Sequence, residues 1–526
     1  MSWMFTLGAL SKQEQFVTKD RSTVDRRSFL NSAKGACAVL ATSNVLGPAA
    51  VLVEAGVRLT GASGAEAAGS EPLITPPEIH SENGVLRAMI TAAPGRVQLG
   101  DFAFPGLLYN GSYVPPVLRP RLGDTMQIAF RNQLPDDPSN LHFHGMSVSP
   151  RGNSDNVFLH VHPGDLLEYE VRIPADGHQG AGFFWYHPHA HGFVTKQILG
   201  GMSGGLVADG FERIFPIVKN LPERFFLIKH AEIGEGNQLI SINGQINPTV
   251  AIRPDELQFW RIGHIGATLF IKFHIEGMPL YVLATDGHPL SSPRKVSEFF
   301  IGPGERIDAV AIGPEPGEYA MRTISFQNEA WRKPEPVQQL ASIVSAGPRS
   351  SERDGEAEIL PAHADEAHPW IEEARSAPIA RRRTLQYSKT ADRHAFMIDG
   401  QVFDDDRIDQ TIKLGNTEEW MIVNTDQQYH SFHIHQTAFL VTEINGVSQN
   451  EDSLRDTFSV PPATDTEPSM LKVVIPFTDP VITGRFVYHC HAVDHEDKGM
   501  MGIIEVVASA SELTDEPAHC GGAPRR

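Results

Sequence analysis

The sequence predicts an all-β protein built from three Greek-key β-sandwich domains. Short runs of β-branched and aromatic residues recur along the chain and are broken by Pro and Gly, which is typical of antiparallel sandwiches. This pattern repeats three times, with a period of roughly 130 residues. The chain has 526 residues, and a chain of that length has room for about three domains of ordinary size.

Residues 1–70 are predicted to be a leader that lies outside the fold. The segment Asp25-Arg26-Arg27-Ser28-Phe29-Leu30 precedes an Ala-rich, mildly apolar run, which is the pattern of a twin-arginine export signal. Ala65-Glu66-Ala67 offers a small-x-small cleavage site, and no stretch reaches the ~18 uninterrupted apolar residues of a membrane span. We expect the twin-arginine translocation machinery as a partner, no stable membrane insertion, and a periplasmic or secreted protein. The alternative is a disordered tail with a chance Arg-Arg pair.

The three β regions are predicted at 71–212, 213–346 and 384–510. Typical strands are Thr125–Phe130 and Leu166–Arg172 in the first region and Leu257–Ile262 in the second. The second region has only scattered histidines without paired spacing, and we expect it to hold no metal. Residues 347–383 are rich in Pro, Ala and charge and are predicted to be a linker over the surface. Residues 511–526 are predicted to be a tail.

The charge and the cysteine content limit the possible partners. The formal net charge is −20, which argues against nucleic acid because no basic stripe is available to neutralise phosphates. It mildly favours neutral or cationic small molecules. The only three cysteines are Cys37, Cys490 and Cys520, so no disulfide framework is expected.

The segment Phe486–Met500 carries the strongest chemical signal. Its first half is predicted to be a strand, on which His489 and His491 share one face and Cys490 points to the other. A thiolate, an imidazole five residues later (His495) and a thioether (Met500) form the ligand set of a blue-copper centre that lacks one histidine. The two flanking histidines then serve a second metal site behind the strand.

The further histidines occur in three clusters. In the first, His433 and His435 share one face of a strand while His430 falls on the other. The other two are His-x-His pairs on a single strand face, His142 with His144 and His187 with His189.

With these motifs the sequence resembles the multicopper oxidases, the family of laccases, bilirubin oxidases and bacterial cuprous oxidases. HxHG, HxH, HxxHxH and HCHxxxHxxxxM occur in that order. The resemblance implies cupredoxin-like domains and four copper ions: one type 1, one type 2 and two type 3. Carried over by position, the ligands are His430, Cys490, His495 and Met500 for type 1, His142 and His433 for type 2, and His144, His187, His189, His435, His489 and His491 for the type 3 pair.

The resemblance also implies the reaction. A laccase-like enzyme oxidises phenols or aromatic amines one electron at a time at the type 1 copper, through the exposed edge of His430 or His495. It reduces O2 to water at a trinuclear cluster between the first and third domains, which the second domain braces. Glu496 and Asp155 match acids that relay protons in the family; the alternative for each is an ordinary solvated or turn-forming carboxylate.

Three alternatives stay open from the sequence. A metallo-oxidase acting on Cu(I) or Mn(II) could use Asp404-Asp405-Asp406, although the 13 methionines form no Met-rich insertion before His430. A copper-free exported scaffold of the same fold would have lost the ligands, which are all present here. A copper nitrite reductase would need only two domains and no His-Cys-His segment.

Overall fold

The computed structural model describes residues 71–233, 238–329, 333–350, 359 and 369–508. The predicted export signal around Arg26 and Arg27, the Ala65–Ala67 site, Cys37 and Cys520 lie outside these residues. Among the described residues, no helix combines the length and the apolar character that crossing a membrane requires. The all-β fold class is confirmed, because the described chain consists mainly of six β-sheets, two in each predicted domain.

The first domain is a sandwich of a five-stranded and a four-stranded sheet. In β5 (Thr125–Asn132) and β7 (Leu166–Arg172) every second side chain is buried or partly buried and faces the inside of the sandwich, as the period of two requires. The strands of the five-stranded sheet lie in the order β1 (Glu78–His80), β4 (Val117–Arg119), β9 (Gly204–Ala208), β8 (Gly182–His187) and β6 (His142–His144). Those of the four-stranded sheet lie in the order β3 (Phe102–Tyr109), β2 (Val85–Leu99), β5 and β7. Helix α1 (Val194–Gly200) completes this part. The 3-10 turns Phe211–Arg213 and Pro216–Val218 follow and pack against strands of the second domain.

The second domain has a six-stranded and a five-stranded sheet around its own apolar core. Nearly every residue of β13 (Leu257–His264) and β18 (Arg306–Ile312) is buried, since both faces of these strands are covered. The sheets are β11 (Gln238–Ile242), β10 (Glu223–Glu232), β13, β18, β15 (Leu280–Thr285) and β16 (His288–Val296), and β12 (Thr249–Ile252), β20 (Gln339–Ser345), β19 (Gly317–Thr323), β14 (Ile271–Ile275) and β17 (Glu298–Ile301).

The third domain repeats the six-plus-five arrangement. Its core contains Cys490 and Met500 among aromatic and branched side chains. The sheets are β22 (Phe396–Ile398), β21 (Ile379–Lys389), β24 (Asn416–Asn424), β29 (Ser469–Phe477), β26 (Leu440–Ile444) and β27 (Val447–Ser448), and β23 (Gln410–Lys413), β31 (Met501–Val507), β30 (Gly484–Cys490), β25 (His430–Ile434) and β28 (Thr457–Val460). Helices α2 (Pro369–Ser376) and α3 (Val493–Glu496) and the 3-10 turn Pro480–Ile482 lie between strands.

The predicted linker 347–383 differs from the structure at its C-terminal end. Helix α2 buries Ile371 and Ala374 in a small apolar cluster with side chains of β26 and β29. Strand β21 begins at Ile379 and pairs in parallel with β24. Its arginines suggested a solvated linker, but Arg383 forms an ion pair with Glu418 at 2.6 Å on the neighbouring strand. A charged run can therefore be part of a strand when the adjacent strand carries the opposite charge.

Two strand pairings set up the region of the candidate site. In the third domain β25 pairs antiparallel with β30, so that His433 lies opposite His489 and Phe432 opposite Cys490. In the first domain β6 pairs antiparallel with β8, with His142 opposite His187. Both pairings place His-x-His faces side by side, because residues two apart on a strand project from the same face.

Candidate metal centre

Three side chains of the third domain form a compact nest around the thiol of Cys490. Its Sγ lies 3.4 Å from Nδ1 of His430 and 3.4 Å from Nδ1 of His495, and the two nitrogens are 3.2 Å apart. Donor atoms about 2.0–2.3 Å from a shared metal, at roughly tetrahedral angles, lie about 3.2–3.5 Å from one another. The nest therefore fits a single metal ion with one sulfur and two nitrogen ligands.

The local fold explains why these three side chains meet. Cys490 ends β30 and His430 begins β25, the strand paired with it, while His495 lies on the short helix α3 just after β30. Met500 is fully buried in the same core cluster as Cys490. Its backbone O accepts from Cys490 N at 3.0 Å and its backbone N donates to His495 O at 3.0 Å. Backbone hydrogen bonds thus hold Met500 next to Cys490 and His495, two of the other residues predicted to bind the same ion.

Burial sets the protonation of the nest. It raises the pKa of the Cys490 thiol well above its usual value, so a bound metal is needed to deprotonate it. Burial also lowers the pKa of His495 to about 3, which keeps this imidazole neutral and able to bind metal.

The environment of the two imidazoles decides which one faces solvent. His430 is fully buried, and its Nε2 donates to Asp426 Oδ2 at 3.2 Å. His495 is 9% exposed, and its ring stacks on Phe396 with centroids 4.0 Å apart. The sequence left two candidates for the solvent-accessible imidazole edge, His430 and His495. In the structure the accessible edge is that of His495.

The remaining eight predicted histidine ligands form one buried cluster where the first and third domains meet, and the space between their ring nitrogens is called the cavity below. Six of them form two groups of three ring nitrogens, each group small enough to hold one ion: His144, His187 and His491, and His189, His435 and His489. Within the first group His491 Nε2 lies 3.1 Å from His144 Nδ1. Within the second, His489 Nε2 lies 3.2 Å from both His189 Nε2 and His435 Nε2.

The last two histidines, His142 and His433, complete the cavity. Nε2 of each ring is buried without a hydrogen-bond partner, which is costly unless a ligand such as a metal ion takes it up. His142 stacks in parallel on His435 with centroids 3.8 Å apart, and His433 stacks on His144 at 3.9 Å. Each stack joins a ring of the first domain to one of the third, so neither domain can form the cavity alone.

In three of the cavity's histidines, the ring nitrogen that points away from the cavity, called the outer nitrogen, has a hydrogen-bond acceptor. Asp155 Oδ1 lies 3.0 Å from His142 Nδ1, and Asp456 Oδ1 lies 3.0 Å from His144 Nε2. The backbone O of Asp456 accepts from His433 Nδ1 at 2.8 Å. Each acceptor requires the proton on the outer nitrogen, which leaves the inner nitrogen free to bind a metal.

Burial also keeps the imidazoles of the two three-nitrogen groups neutral. It lowers the pKa of His189 and of His489 to about 3. The pKa values of the other four rings of the two groups lie well below the usual range for the same reason: His144, His187, His435 and His491. Neutral imidazole is the form that ligates metal.

The two acids predicted to relay protons both lie beside the cavity. Asp155 is buried and, besides His142, accepts from Phe143 N at 3.0 Å and from Gln436 Nε2 at 2.9 Å. Glu496 is fully buried, and burial raises its pKa to about 7. Its carboxylate lies near two cavity histidines but is aligned for a hydrogen bond with neither.

Sequence reasoning missed several residues that support the site. Asp426 and Phe396 contact the imidazoles of the nest, and Asp456 holds two histidines of the cavity. The carboxylate of Asp497 accepts from the backbone N of Gly192 and Thr195 at 2.8 and 2.7 Å, tying the loop after His495 to the start of α1. No motif marks these residues. Asp426 lies only four residues before His430, whereas Phe396 and Asp497 contact partners that are remote in sequence.

Outside the two centres, the part of the chain that the structure describes holds one further group, an acidic one, that is compatible with a metal ion. Asp404, Asp405 and Asp406 place carboxylate oxygens close together on the exposed surface. His264 and His288 of the second domain are buried, and neither they nor His274 belongs to a three-ligand group among the described residues.

Comparison with known proteins places this arrangement in context. Family models described as multicopper oxidase match residues 95–210, 217–348 and 377–509. The chain is 26% identical over 449 residues to the multicopper oxidase mco of Staphylococcus haemolyticus, covering 81% of this chain and 89% of that protein. It is 22% identical over 475 residues to a laccase of Bacillus stratosphericus, covering 76% of this chain and 90% of that protein. A multicopper oxidase from Campylobacter jejuni, described as a metallo-oxidase, has the same fold with a TM-score of 0.71 and 24% identity, over 84% of this chain and 96% of that one.

Proposed function

This chain belongs to the multicopper oxidase family and is a copper-dependent oxidoreductase that uses O2 as acceptor, and we propose that it is a laccase-like enzyme with four copper ions. The observation that carries the proposal is the segment His489-Cys490-His491. Its thiol completes the nest with His430 and His495, while its two imidazoles complete the two three-nitrogen groups of the cavity.

The proposed ligand assignment is the one that the resemblance to the family implies, and the grouping of the nitrogen and sulfur atoms is compatible with it. Type 1 copper is assigned to His430, Cys490, His495 and Met500, and type 2 copper to His142 and His433. The type 3 pair is assigned to His144, His187 and His491 on one side and to His189, His435 and His489 on the other. Copper supplies one-electron redox chemistry at the nest and multi-electron reduction of O2 in the cavity when it is bound there.

The chain itself contributes a connection between the two sites. Cys490 and its two neighbours are consecutive in sequence, so a few covalent bonds of backbone and side chain link the sulfur to both type 3 groups. The strand pairing of β25 with β30 holds this link rigidly, and rigid mounting preserves metal–ligand distances.

The chain also supplies acidic groups that can carry protons. Glu496 is buried beside His189 and His489 with a pKa near 7, so it can carry a proton to the cavity at neutral pH. Asp155 stays in the proposal as a second acid. Its carboxylate oxygens accept hydrogen bonds from His142, Phe143 and Gln436. Its main proposed role is therefore to fix the orientation of the His142 ring.

The reductant is proposed to be a phenol or aromatic amine that contacts the accessible edge of His495. Asp494 Oδ1 lies 3.7 Å from His495 Nε2 and is partly exposed, so it can accept a hydrogen bond from a hydroxyl or amino group at this edge. The similar laccase supports this class of substrate. Oxidation of Cu(I) or Mn(II) is the second candidate, because Asp404–Asp406 form an exposed oxygen-rich group and the Campylobacter jejuni protein is described as a metallo-oxidase.

Export by the twin-arginine pathway to the periplasm or outside the cell remains part of the proposal. It rests on Arg26 and Arg27 in the sequence and is tested by exchanging both for lysine. Retention of the protein in the cytoplasm is the expected result.

The central experiment combines copper analysis, absorption spectroscopy and turnover. About four copper ions per chain and an intense thiolate-to-copper band are expected; the absence of both would identify a copper-free scaffold. Turnover of 2,6-dimethoxyphenol should exceed that of Cu(I) and Mn(II). A preference for either metal ion would reverse the order of the two candidate substrates.

A further inference from the structure

Arg306, the first residue of β18 in the second domain, contacts all three domains. Its Nε donates to Phe183 O of the first domain at 3.1 Å, and its Nη1 donates to Gly304 O at 3.1 Å. Its Nη1 and Nη2 donate to the two carboxylate oxygens of Asp456 in the third domain, at 2.8 and 2.6 Å. The side chain is fully buried. Such a bidentate pair fixes the orientation of a carboxylate as well as its position.

The oriented carboxylate in turn determines the state of His144. Asp456 Oδ1, which accepts from Arg306, also lies 3.0 Å from His144 Nε2. An ionised carboxylate can only accept, so Nε2 of this imidazole carries the proton. Nδ1 is then the nitrogen with a free lone pair, and it faces His491 Nε2 at 3.1 Å.

Two glycines show how closely the Arg306–Asp456 ion pair and its surroundings pack against the histidines of the cavity. A Cβ at Gly304, just before Arg306, would lie 3.1 Å from both His144 Cε1 and His491 Cγ. A Cβ at Gly145, the glycine of the HxHG motif, would lie 2.5 Å from Asp456 Oδ2 and would collide with Arg306 Nη2. The second domain therefore forms one wall of the histidine cavity.

We propose that Arg306 is a positioning residue for the copper ion held by His144, His187 and His491. Through Asp456 it selects the nitrogen of His144 that binds metal, so the second domain sets metal affinity as well as bracing the other two. This inference rests on the proposed function. The type 1 nest depends on different contacts, with Asp426 and Phe396, so the effect is specific to the trinuclear site.

The test compares Arg306→Lys with wild-type protein. Lysine keeps the positive charge but cannot donate two parallel hydrogen bonds to Asp456. We expect trinuclear copper to be removed by a chelator at about 10- to 100-fold lower concentration, while the thiolate band per folded chain stays unchanged. Copper per chain, the electron paramagnetic resonance signal of type 2 copper and the near-ultraviolet band of the type 3 pair report this without any turnover assay.

Arg261→Lys is the matched control. Arg261 lies on β13 of the same domain and forms a comparably buried ion pair with Asp308, at 3.1 Å. This variant is expected to lose folding stability and to retain trinuclear copper as the wild type does.

Three outcomes would overturn the inference: wild-type copper retention in Arg306→Lys, an equal loss in Arg261→Lys, or a parallel loss of type 1 and trinuclear copper. If Arg306→Lys does not fold, Asp456→Asn takes its place. Its single amide oxygen cannot serve Arg306 and His144 as a carboxylate does, so selective loss is again expected and unchanged retention would contradict the inference. Wild-type protein that binds no copper would contradict the proposed function instead.

Discussion

The carboxylate of Glu496 lies 3.1 Å from Nδ1 of His489, a ring whose Nε2 faces the cavity. Nδ1 of His189 is 3.7 Å from the same carboxylate. Because Glu496 is buried, its pKa is raised to about 7. It is therefore the acid best placed to hold a proton beside the site proposed for O2 reduction, where four protons are consumed for each O2 molecule reduced to water.

Replacing Glu496 by glutamine should slow O2 reduction by about 10²-fold or more, since the amide keeps the shape of the side chain but carries no transferable proton. The thiolate band should persist, because every ligand of the type 1 nest is retained. Oxygen consumption and the absorption spectrum measure the two effects. Glu505→Gln, on β31 near the surface, is the control. Wild-type turnover in Glu496→Gln would rule out the relay.

The pH dependence of O2 reduction should carry the signature of the same acid. Below about pH 7 Glu496 is mostly protonated and can donate; as the pH rises through about 7, the protonated fraction and the rate should both fall. This limb of the profile is measured with a reductant in excess, so that its oxidation does not limit turnover. The limb should be missing in Glu496→Gln, and its persistence there would assign it to another group.

Cys490→Ser should remove the thiolate band and reduce reductant oxidation by several orders of magnitude. The eight cavity histidines are unchanged, so the variant should bind about one copper ion fewer than wild type and keep the type 2 signal. Copper analysis with electron paramagnetic resonance checks this. Loss of all copper would show that the cavity depends on an intact nest.

Asp155→Ala should weaken type 2 copper binding by about 10- to 100-fold, because His142 loses the acceptor that fixes its tautomer. The buried donors left unpaired should lower the free energy of unfolding by about 1–3 kcal/mol. Chelator competition and urea denaturation measure these two effects. Asp165→Ala, at an exposed position of the same domain, should change neither. Unaltered type 2 binding in Asp155→Ala would contradict the role assigned to this carboxylate.

Met500→Leu should raise the reduction potential of the type 1 site, since it removes the thioether that we propose as a weak ligand. Leucine fills nearly the same volume, so the change should cost less than about 1.5 kcal/mol of folding stability. A redox titration followed by the thiolate band gives the potential. An unchanged potential would mean that the sulfur of Met500 does not bind the metal.

The alternation of side chains along a strand carried most of the site prediction. It separates Cys490 from His489 and His491, and the structure places these residues in the nest and the cavity. The grouping across domains came from the order of the motifs, because the spacing within one strand cannot show which histidines of another domain lie opposite. The resemblance supplied that part.

The residues that were not predicted share a physical property. Arg306, Asp456 and Asp497 are single charged side chains that each contact another domain, across 150, 312 and 302 residues of sequence respectively. No local periodicity marks such contacts. The predicted linker extended too far toward the C-terminus for a related reason. In the sequence the arginines of β21 suggest exposure to solvent, but Glu418 and Glu419 lie on the adjacent strand and form ion pairs with two of them.

Each of the two three-nitrogen groups contains rings from both the first and the third domain. A metal ion bound in either group would cross-link the two domains and close a loop of several hundred residues. The protein is predicted to have no disulfide framework that could do the same. Ligands that bind only the folded chain add RT ln(1 + [L]/Kd) to its stability. Removing the metal should therefore weaken the association of the first and third domains. The same atoms that carry the redox chemistry would then also protect the protein against heat and proteases.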